Sequence, residues 1–335
     1  MKPPVLIVGC GDLGTEAGLR FAAAGHPVTG WRRNPSVLPP ELHGQAADVT
    51  DSASLPPVDP ATGVVVIALT PGSRDADGYR ATYLDGTRAA LAAVAAAGAS
   101  PRVLFVSSTS VVGVDDGREV DESWSGEPAR ATGAVLAEAE RLVLALPGAV
   151  VLRLAGVYGP GRTRLIDRAR SGDRGRAAHW TNRIHRDDAA IALMHLASLA
   201  DPAPVYHGVD DEPALEADVL AFLAGELGVP AGVDAAHPVA PSSLAAASDD
   251  PRYGGTGDSL DGIPSGVPDA GESSGASNGS PDAVGRAPSS SPGEESPSGK
   301  RLPNVLLRST GWAPAYPSYR EGYRAMLAGV GTRQP

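Results

Sequence analysis

The chain has 335 residues, 42% of them hydrophobic, with a net charge of −11 and one cysteine. This length suits one large core or two modest ones, and the acidity argues against general affinity for nucleic acid or anionic membranes. A single cysteine excludes internal disulfides and cysteine-rich metal sites, and no apolar run approaches the ~20 residues of a membrane helix.

Short β-branched runs alternate with alanine-rich stretches through the first half. Val5–Val8 predicts a strand, followed by a helix over Leu13–Ala24. Pro27–Trp31 predicts a second strand, and Asp48-Val49 closes a third. Val64–Leu69 leads into a helix near Arg80–Ala97, Val103–Val106 into one near Gly133–Leu146, and Val150–Leu154 follows. Apolar runs this short, bounded by Gly, Pro and Asp, suit strands covered on both faces of a parallel sheet. Their alternation with helices predicts right-handed βαβ units, and so a Rossmann-type doubly wound α/β domain over residues 1–160.

Beyond it, residues 161–240 predict a smaller region covering the sheet's carboxyl edge. It has helices at Asp187–Leu199 and Leu215–Leu227 and a short strand at Val205–Val209. Residues 241–302 differ in kind: Ser, Gly, Pro and Asp dominate. Nine acidic and two basic residues between Pro241 and Gly299 leave only −4 of the net −11 to the rest of the chain. Such a stretch buries too little apolar surface to offset its ordering entropy, which predicts a disordered insertion. Order is expected to return over 303–335, through Val305-Leu306-Leu307 and Trp312 to a helix near Ser318–Leu327.

Gly9-Cys10-Gly11-Asp12-Leu13-Gly14 is a G-x-G-x-x-G directly after a strand and opening a helix. Gly9 permits the tight turn, Gly11 lets the backbone approach a pyrophosphate, and Gly14 lets helix pack on strand. The helix N-terminus then attracts the diphosphate. Cys10 reads as a small residue in a crowded loop. The second strand ends in Arg32-Arg33, where NAD-specific sites commonly place an acid against the ribose 2′-OH. Two arginines suit a 2′-phosphate instead, which favours NADP(H) and keeps NAD(H) as the alternative. Asp48 and Val49 are candidate adenine contacts, although Asp48 equally suits a turn cap. Leu69, Thr70 and Ser107 complete the expected cofactor-binding set.

Further motifs carry a resemblance. They are Tyr83-Leu84-Asp85-Gly86-Thr87, Val106-Ser107-Ser108-Thr109-Ser110-Val111-Val112-Gly113 and Leu152-Arg153-Leu154-Ala155-Gly156-Val157-Tyr158-Gly159-Pro160-Gly161. Asn182-Arg183-Ile184-His185-Arg186-Asp187-Asp188 and the tail Gly311-Trp312 with Tyr316–Tyr323 extend it. With the glycine loop, these resemble the extended and atypical branch of the short-chain dehydrogenase/reductase superfamily, the NAD-dependent epimerase/dehydratase relatives. Within that branch the likeness is to a bacterial YeeZ-like subgroup.

The resemblance implies proton transfer by a Ser, a Tyr and a Lys four residues later. Ser108 matches the serine, but Thr132 and Leu136 stand where the tyrosine and lysine belong. A threonine hydroxyl is too weak an acid for the task, and leucine supplies no charge. Tyr158 and His185 are the candidate replacements, with Tyr79 and Tyr83 behind them. Packing is the competing reading for the tyrosines, and a structural hydrogen bond for His185, with Asp187 or Asp188 capping the helix. Arg162 and Arg164 suit an anionic substrate or a plain charged surface. No paired histidines at metal-ligand spacing, no G-x-S-x-G elbow and no nucleic-acid pattern occur.

The expected function is an NADP(H)-dependent oxidoreductase or epimerase-like enzyme of atypical mechanism. The alternative is a cofactor-binding sensor or scaffold without catalysis. Expected too are a small-molecule substrate, no metal, no nucleic acid or membrane partner, a cytoplasmic location and, by family likeness, a homodimer.

Overall fold

The computed structural model describes residues 2–230 and 296–335. The first half alternates β1 (Val5–Val8), α1 (Asp12–Ala23), β2 (Val28–Arg32), β3 (His43–Ala46), β4 (Val64–Ile67), α2 (Ala76–Tyr79), α3 (Gly86–Ala96), β5 (Arg102–Ser108), α4 (Ala131–Leu144) and β6 (Val150–Leu154). Next come β7 (Gly156–Tyr158), α5 (Arg164–Arg170), β8 (His179–Thr181), β9 (Arg183–His185), α6 (Arg186–Ser198) and β10 (Val205–Gly208). Last are β11 (Ala214–Leu215), α7 (Glu216–Leu227), β12 (Ser298–Gly299), α8 (Val305–Ser309) and α9 (Tyr319–Leu327).

Seven strands form one parallel sheet in the order β10-β6-β5-β4-β1-β2-β3. Every residue of β1 and β4 is buried, which is why both read as unbroken apolar runs. Alternate residues serve opposite faces. Leu6, Val8, Val65, Ile67 and Phe105 pack with Ala90, Val135 and Val143 of α3 and α4. Val5, Ile7, Val64, Val66 and Leu104 pack with Ala17 and Phe21 of α1 and Ala189 and Leu193 of α6. The chain winds outward from β1 in both directions, so the crevice outside the carboxyl ends of β1 and β4 is the place where such sheets receive ligands.

The structure departs from the sequence expectations at four places. Val205–Gly208 pairs with β6 and so completes the main sheet, which draws a strand from beyond residue 160. The helix expected near Arg80–Ala97 starts at Ala76 and contains a π-helical turn over Arg80–Asp85. That turn sets Gly86 against Val49, whose Cγ2 lies 2.7 Å from where a Cβ would stand. The third strand stops at Ala46, before Asp48-Val49.

The expected insertion ends too late at 302. Ser298–Gly299 pairs in parallel with β8, and Leu302 is fully buried. A two-residue ladder and one apolar anchor are enough to order those residues; the rest of the expected disorder, 241–295, lies outside the described residues. Among the described residues no helix is long and apolar enough to cross a membrane.

Candidate functional site

The glycine loop joins β1 to α1 in three distinct ways. Gly9 has φ +88°, and a Cβ there would lie 2.5 Å from Ala68 O, so the turn tolerates only glycine. A Cβ on Gly14 would lie 2.3 Å from Gly9 O, which fixes how closely the helix approaches the loop. At Gly11 a Cβ would meet nothing within 4 Å. Gly11 is the N-cap of α1, and no side chain caps the helix there. The helix end thus has no side-chain cap, and the space a side chain at Gly11 would enter is free within 4 Å, as a diphosphate cradle requires.

The neighbouring expectations resolve residue by residue. Cys10 is fully buried with Thr15 Oγ1 donating to its sulfur at 3.6 Å, and burial pushes the thiol pKa up, which leaves an inert residue. Arg32 Nη1 donates to Cys10 O at 3.0 Å and to Pro335 O at 2.6 Å, so its guanidinium lies against the loop. Arg33 is exposed. Asp48 caps a turn: its Oδ1 accepts from Thr50 Oγ1 at 2.7 Å and Thr50 N at 3.0 Å, bonds that hold the carboxyl below the usual range. Val49 packs on Gly86, Leu69 approaches Gly9, and Thr70 is exposed beside it.

Asp12 places its carboxylate in an ionic network. Arg186 Nη1 and Arg162 Nε each reach it at 2.8 Å. Burial alone would raise its pKa, but the two arginines hold it below the ordinary value. Arg162 is therefore a partner of Asp12. Glu16, one turn on, binds Arg20 at 2.8 Å, and the wholly buried Arg186 also contacts Asp187 at 2.6 Å.

At the carboxyl ends of β5 and β6, the Ser107 side chain is engaged within the protein. Its Oγ donates to Glu140 Oε1 at 2.6 Å, and Arg153 grips Glu140 through Nε at 3.0 Å and Nη2 at 2.7 Å. Ser107 is buried and its side chain belongs to this network. Ser108 differs. It is half-buried, and its Oγ accepts from Ser110 N at 3.1 Å, capping the turn Thr109–Val111 while its own O–H stays able to donate.

At the lysine position and at the two candidate replacements, the side chains have partners within the protein. Leu136 is 1% exposed, inside the core. Tyr158 is buried, donates to Ser318 O at 3.3 Å, stacks on Tyr323 with ring centroids 4.6 Å apart, and has its pKa raised by burial. A phenol so held is a poor proton donor.

His185 accepts from Asp187 N at 3.2 Å as the N-cap of α6 and packs on Tyr316, with burial lowering its pKa to about 4. The imidazole, not Asp187 or Asp188, caps this helix. Asp188 instead accepts from Ala315 N at 2.7 Å and Tyr316 N at 3.0 Å, tying the tail to α6. Tyr79 and Tyr83 pack on each other with ring centroids 5.2 Å apart.

Residues missed from sequence include Glu140, Arg153, His207 and Asp210. Arg153 in an otherwise apolar strand was the available signal, since a charge there demands a buried partner. His207 is fully buried beside it, aligned in register with Arg153, and its backbone N–H donates to Glu122 Oε1 at 2.9 Å. Among the described residues no cluster of three or more His, Cys, Asp or Glu is placed to hold a metal.

A doubly wound sheet with a bare glycine loop at its switch point defines a dinucleotide-binding protein of the short-chain dehydrogenase kind. Residues 5–200 match the NAD dependent epimerase/dehydratase family, and the chain belongs to it. A solved candidate NAD-dependent epimerase/dehydratase from Methylobacillus flagellatus is 30% identical, with 98% of each chain covered and a TM-score of 0.71. A conserved protein of unknown function from Silicibacter pomeroyi is 25% identical, with 99% of this chain and 100% of that one covered and a TM-score of 0.66. MoeE5 in complex with UDP-glucuronic acid and NAD is 22% identical, with 96% of both chains covered and a TM-score of 0.65, a likeness of fold. A search of curated proteins gives no match.

Proposed function

We propose that this protein is an NADP(H)-dependent oxidoreductase or epimerase-like enzyme whose proton transfer does not use the helical tyrosine and lysine of its family. The observation that carries the reading is the open space at Gly11, at a helix end without a side-chain cap and on a loop that Arg32 contacts at Cys10 O. The first-turn N–H groups of α1 would hold the diphosphate, and Arg32 with Arg33 would pair with a 2′-phosphate. When bound, the nicotinamide supplies or accepts hydride. Ser108, at the end of β5, would hold a substrate oxygen by donating its O–H. MoeE5, of like fold, holds NAD with a UDP-sugar acid, in keeping with a small polar substrate here. The same reading expects a cytoplasmic protein and a homodimer.

A second reading, a cofactor-bound sensor without turnover, draws support from the buried Leu136 and the engaged hydroxyl of Tyr158. A screen of carbonyl compounds for NADPH consumption, run beside Ser108→Ala, separates the two. Turnover that falls roughly 100-fold in Ser108→Ala supports the enzyme. Tight NADPH binding with no turnover across the screen supports the sensor.

A further inference from the structure

The turn that follows β7 brings an arginine from the carboxyl edge of the sheet back to the glycine loop. Arg162 N donates to Gly159 O at 2.9 Å, and Gly161 takes φ +77° within the turn. A Cβ on Gly159 would stand 3.2 Å from Arg186 Cβ, so the turn is pressed onto the start of α6. From there Arg162 Nε reaches Asp12 Oδ2 at 2.8 Å. Asp12 follows Gly11 directly and is the first residue of α1.

Asp12 thus carries two arginines, and they differ. The Arg186 side chain is 1% exposed and its donors are engaged: Nε on Asp187 at 2.9 Å, Nη1 on Asp12 and Thr332 O at 2.8 Å each, and Nη2 on Asp187 at 2.6 Å. The Arg162 side chain is 31% exposed and is held through Nε; among the described residues neither of its Nη groups has a partner. A guanidinium fixed by Nε keeps its Nη1–Nη2 edge for a second anion, in the forked geometry that matches carboxylate and phosphate.

The first turn of α1 gives that edge a task. Asp12 sets a carboxylate one residue from the free space at Gly11, where its charge opposes a diphosphate. The helix end alone offers roughly half an elementary charge against it. Arg186 divides its charge among Asp12, Glu16 and Asp187, so Arg162 is the cation at Asp12 that retains donors.

We propose that Arg162 is the side-chain anchor of the cofactor's diphosphate, its Nε kept on Asp12 and its Nη edge paired with a diphosphate oxygen. This rests on reading the glycine loop as the dinucleotide site. Arg162 then sets affinity for the part that NADPH, NADH and ADP share, whereas Arg32 bears on the 2′-phosphate that NADPH alone carries. Asp12 is a positioning residue for the arginine.

Calorimetric titration of NADPH, NADH and ADP into the full chain tests this. Arg162→Ala is expected to keep the melting temperature of the unliganded protein and to weaken all three by roughly tenfold. Arg162→Lys, a point charge without the fork, recovers part of the loss. Unchanged affinity in Arg162→Ala, or a loss confined to NADPH, overturns the proposal.

A second variant separates contact from neutralisation. Asp12→Asn combined with Arg162→Ala removes the opposing charge and keeps an acceptor for Arg186. The proposal expects this double variant to bind as weakly as Arg162→Ala. Affinity restored to that of the unsubstituted chain shows that Arg162 only neutralises Asp12, and overturns the proposal. An unsubstituted chain that binds none of the three ligands defeats the dinucleotide reading itself and this proposal with it, an outcome distinct from a variant that binds normally.

Discussion

The glycines of the loop make different demands, and their substitutions should separate binding from stability. At Gly11 an added side chain enters open space, so Gly11→Val should fold with an unchanged melting temperature yet bind no dinucleotide. Gly14→Ala forces a contact with Gly9 O and should cost about 1–3 kcal/mol in denaturant unfolding. Arg32 bears on cofactor choice: Arg32→Asp should weaken NADPH far more than NADH in calorimetry, and equal loss would remove the case for a 2′-phosphate.

This is also the scale at which sequence reading succeeds or fails most visibly. The glycines were legible because steric constraint on a backbone is local. Ser107, Asp48, Tyr158 and His185 were legible only as residue types. What each does is decided by Glu140, Thr50, Ser318 and Asp187, and three of these four meetings depend on elements distant in sequence or on a cap geometry that pattern does not specify.

Between elements, ionic contacts do much of the positioning. Asp12, Glu16 and Arg20 lie at i, i+4 and i+8 on α1 and meet Arg186 and Asp187 at the start of α6, so one helix face is ionic where its neighbours are aliphatic. That spacing was visible in the sequence; the partner helix was not. Glu140 holds Arg153 on the opposite face of the sheet. Glu140→Ala leaves the arginine buried without its carboxylate and should destabilise by about 3–5 kcal/mol, read from the denaturant midpoint.

The tail segment 331–335 also crosses the front of α1. Gln334 N donates to Asp12 Oδ1 at 3.3 Å, Thr332 O accepts from Arg186 Nη1 at 2.8 Å, and Pro335 O occupies Arg32 Nη1. A chain cut before Gly331 should therefore bind NADPH more tightly, with NADH affinity unchanged. Unchanged affinity for both would show that the segment does not compete at Arg32.

Across the whole molecule, buried titrating groups set how stability follows pH. His185 and His207 have pKa values lowered to about 4, burial being the largest cause in each. The unfolded chain, with histidine near 6.5, binds these protons first, so their contribution is present above about pH 6.5 and is lost as pH falls toward 4. Asp210 behaves oppositely. Burial raises it to about 8 against the pull of Arg183, so the folded state keeps a proton that the unfolded state has released, and stability is lost as pH rises through 8. From pH 6.5 to 8 this amounts to about 2 kcal/mol. Melting temperatures should decline over that interval, and Asp210→Asn should flatten the decline.

The fold was readable at this scale because fully covered strands announce themselves as apolar runs between turn formers. The pairing of Ser298–Gly299 and the burial of Leu302 were not, since a two-residue strand and one buried leucine have no periodicity to detect.

The central claim is that a nicotinamide dinucleotide lies with its diphosphate at the bare start of α1. Calorimetric titration of NADPH and NADH into the purified chain tests it most directly, with Gly11→Val alongside. The account predicts one saturable site, tighter for NADPH, and no binding heat in the variant. A folded protein that takes up neither dinucleotide, or a Gly11→Val variant that binds as well as the unsubstituted chain, would contradict it.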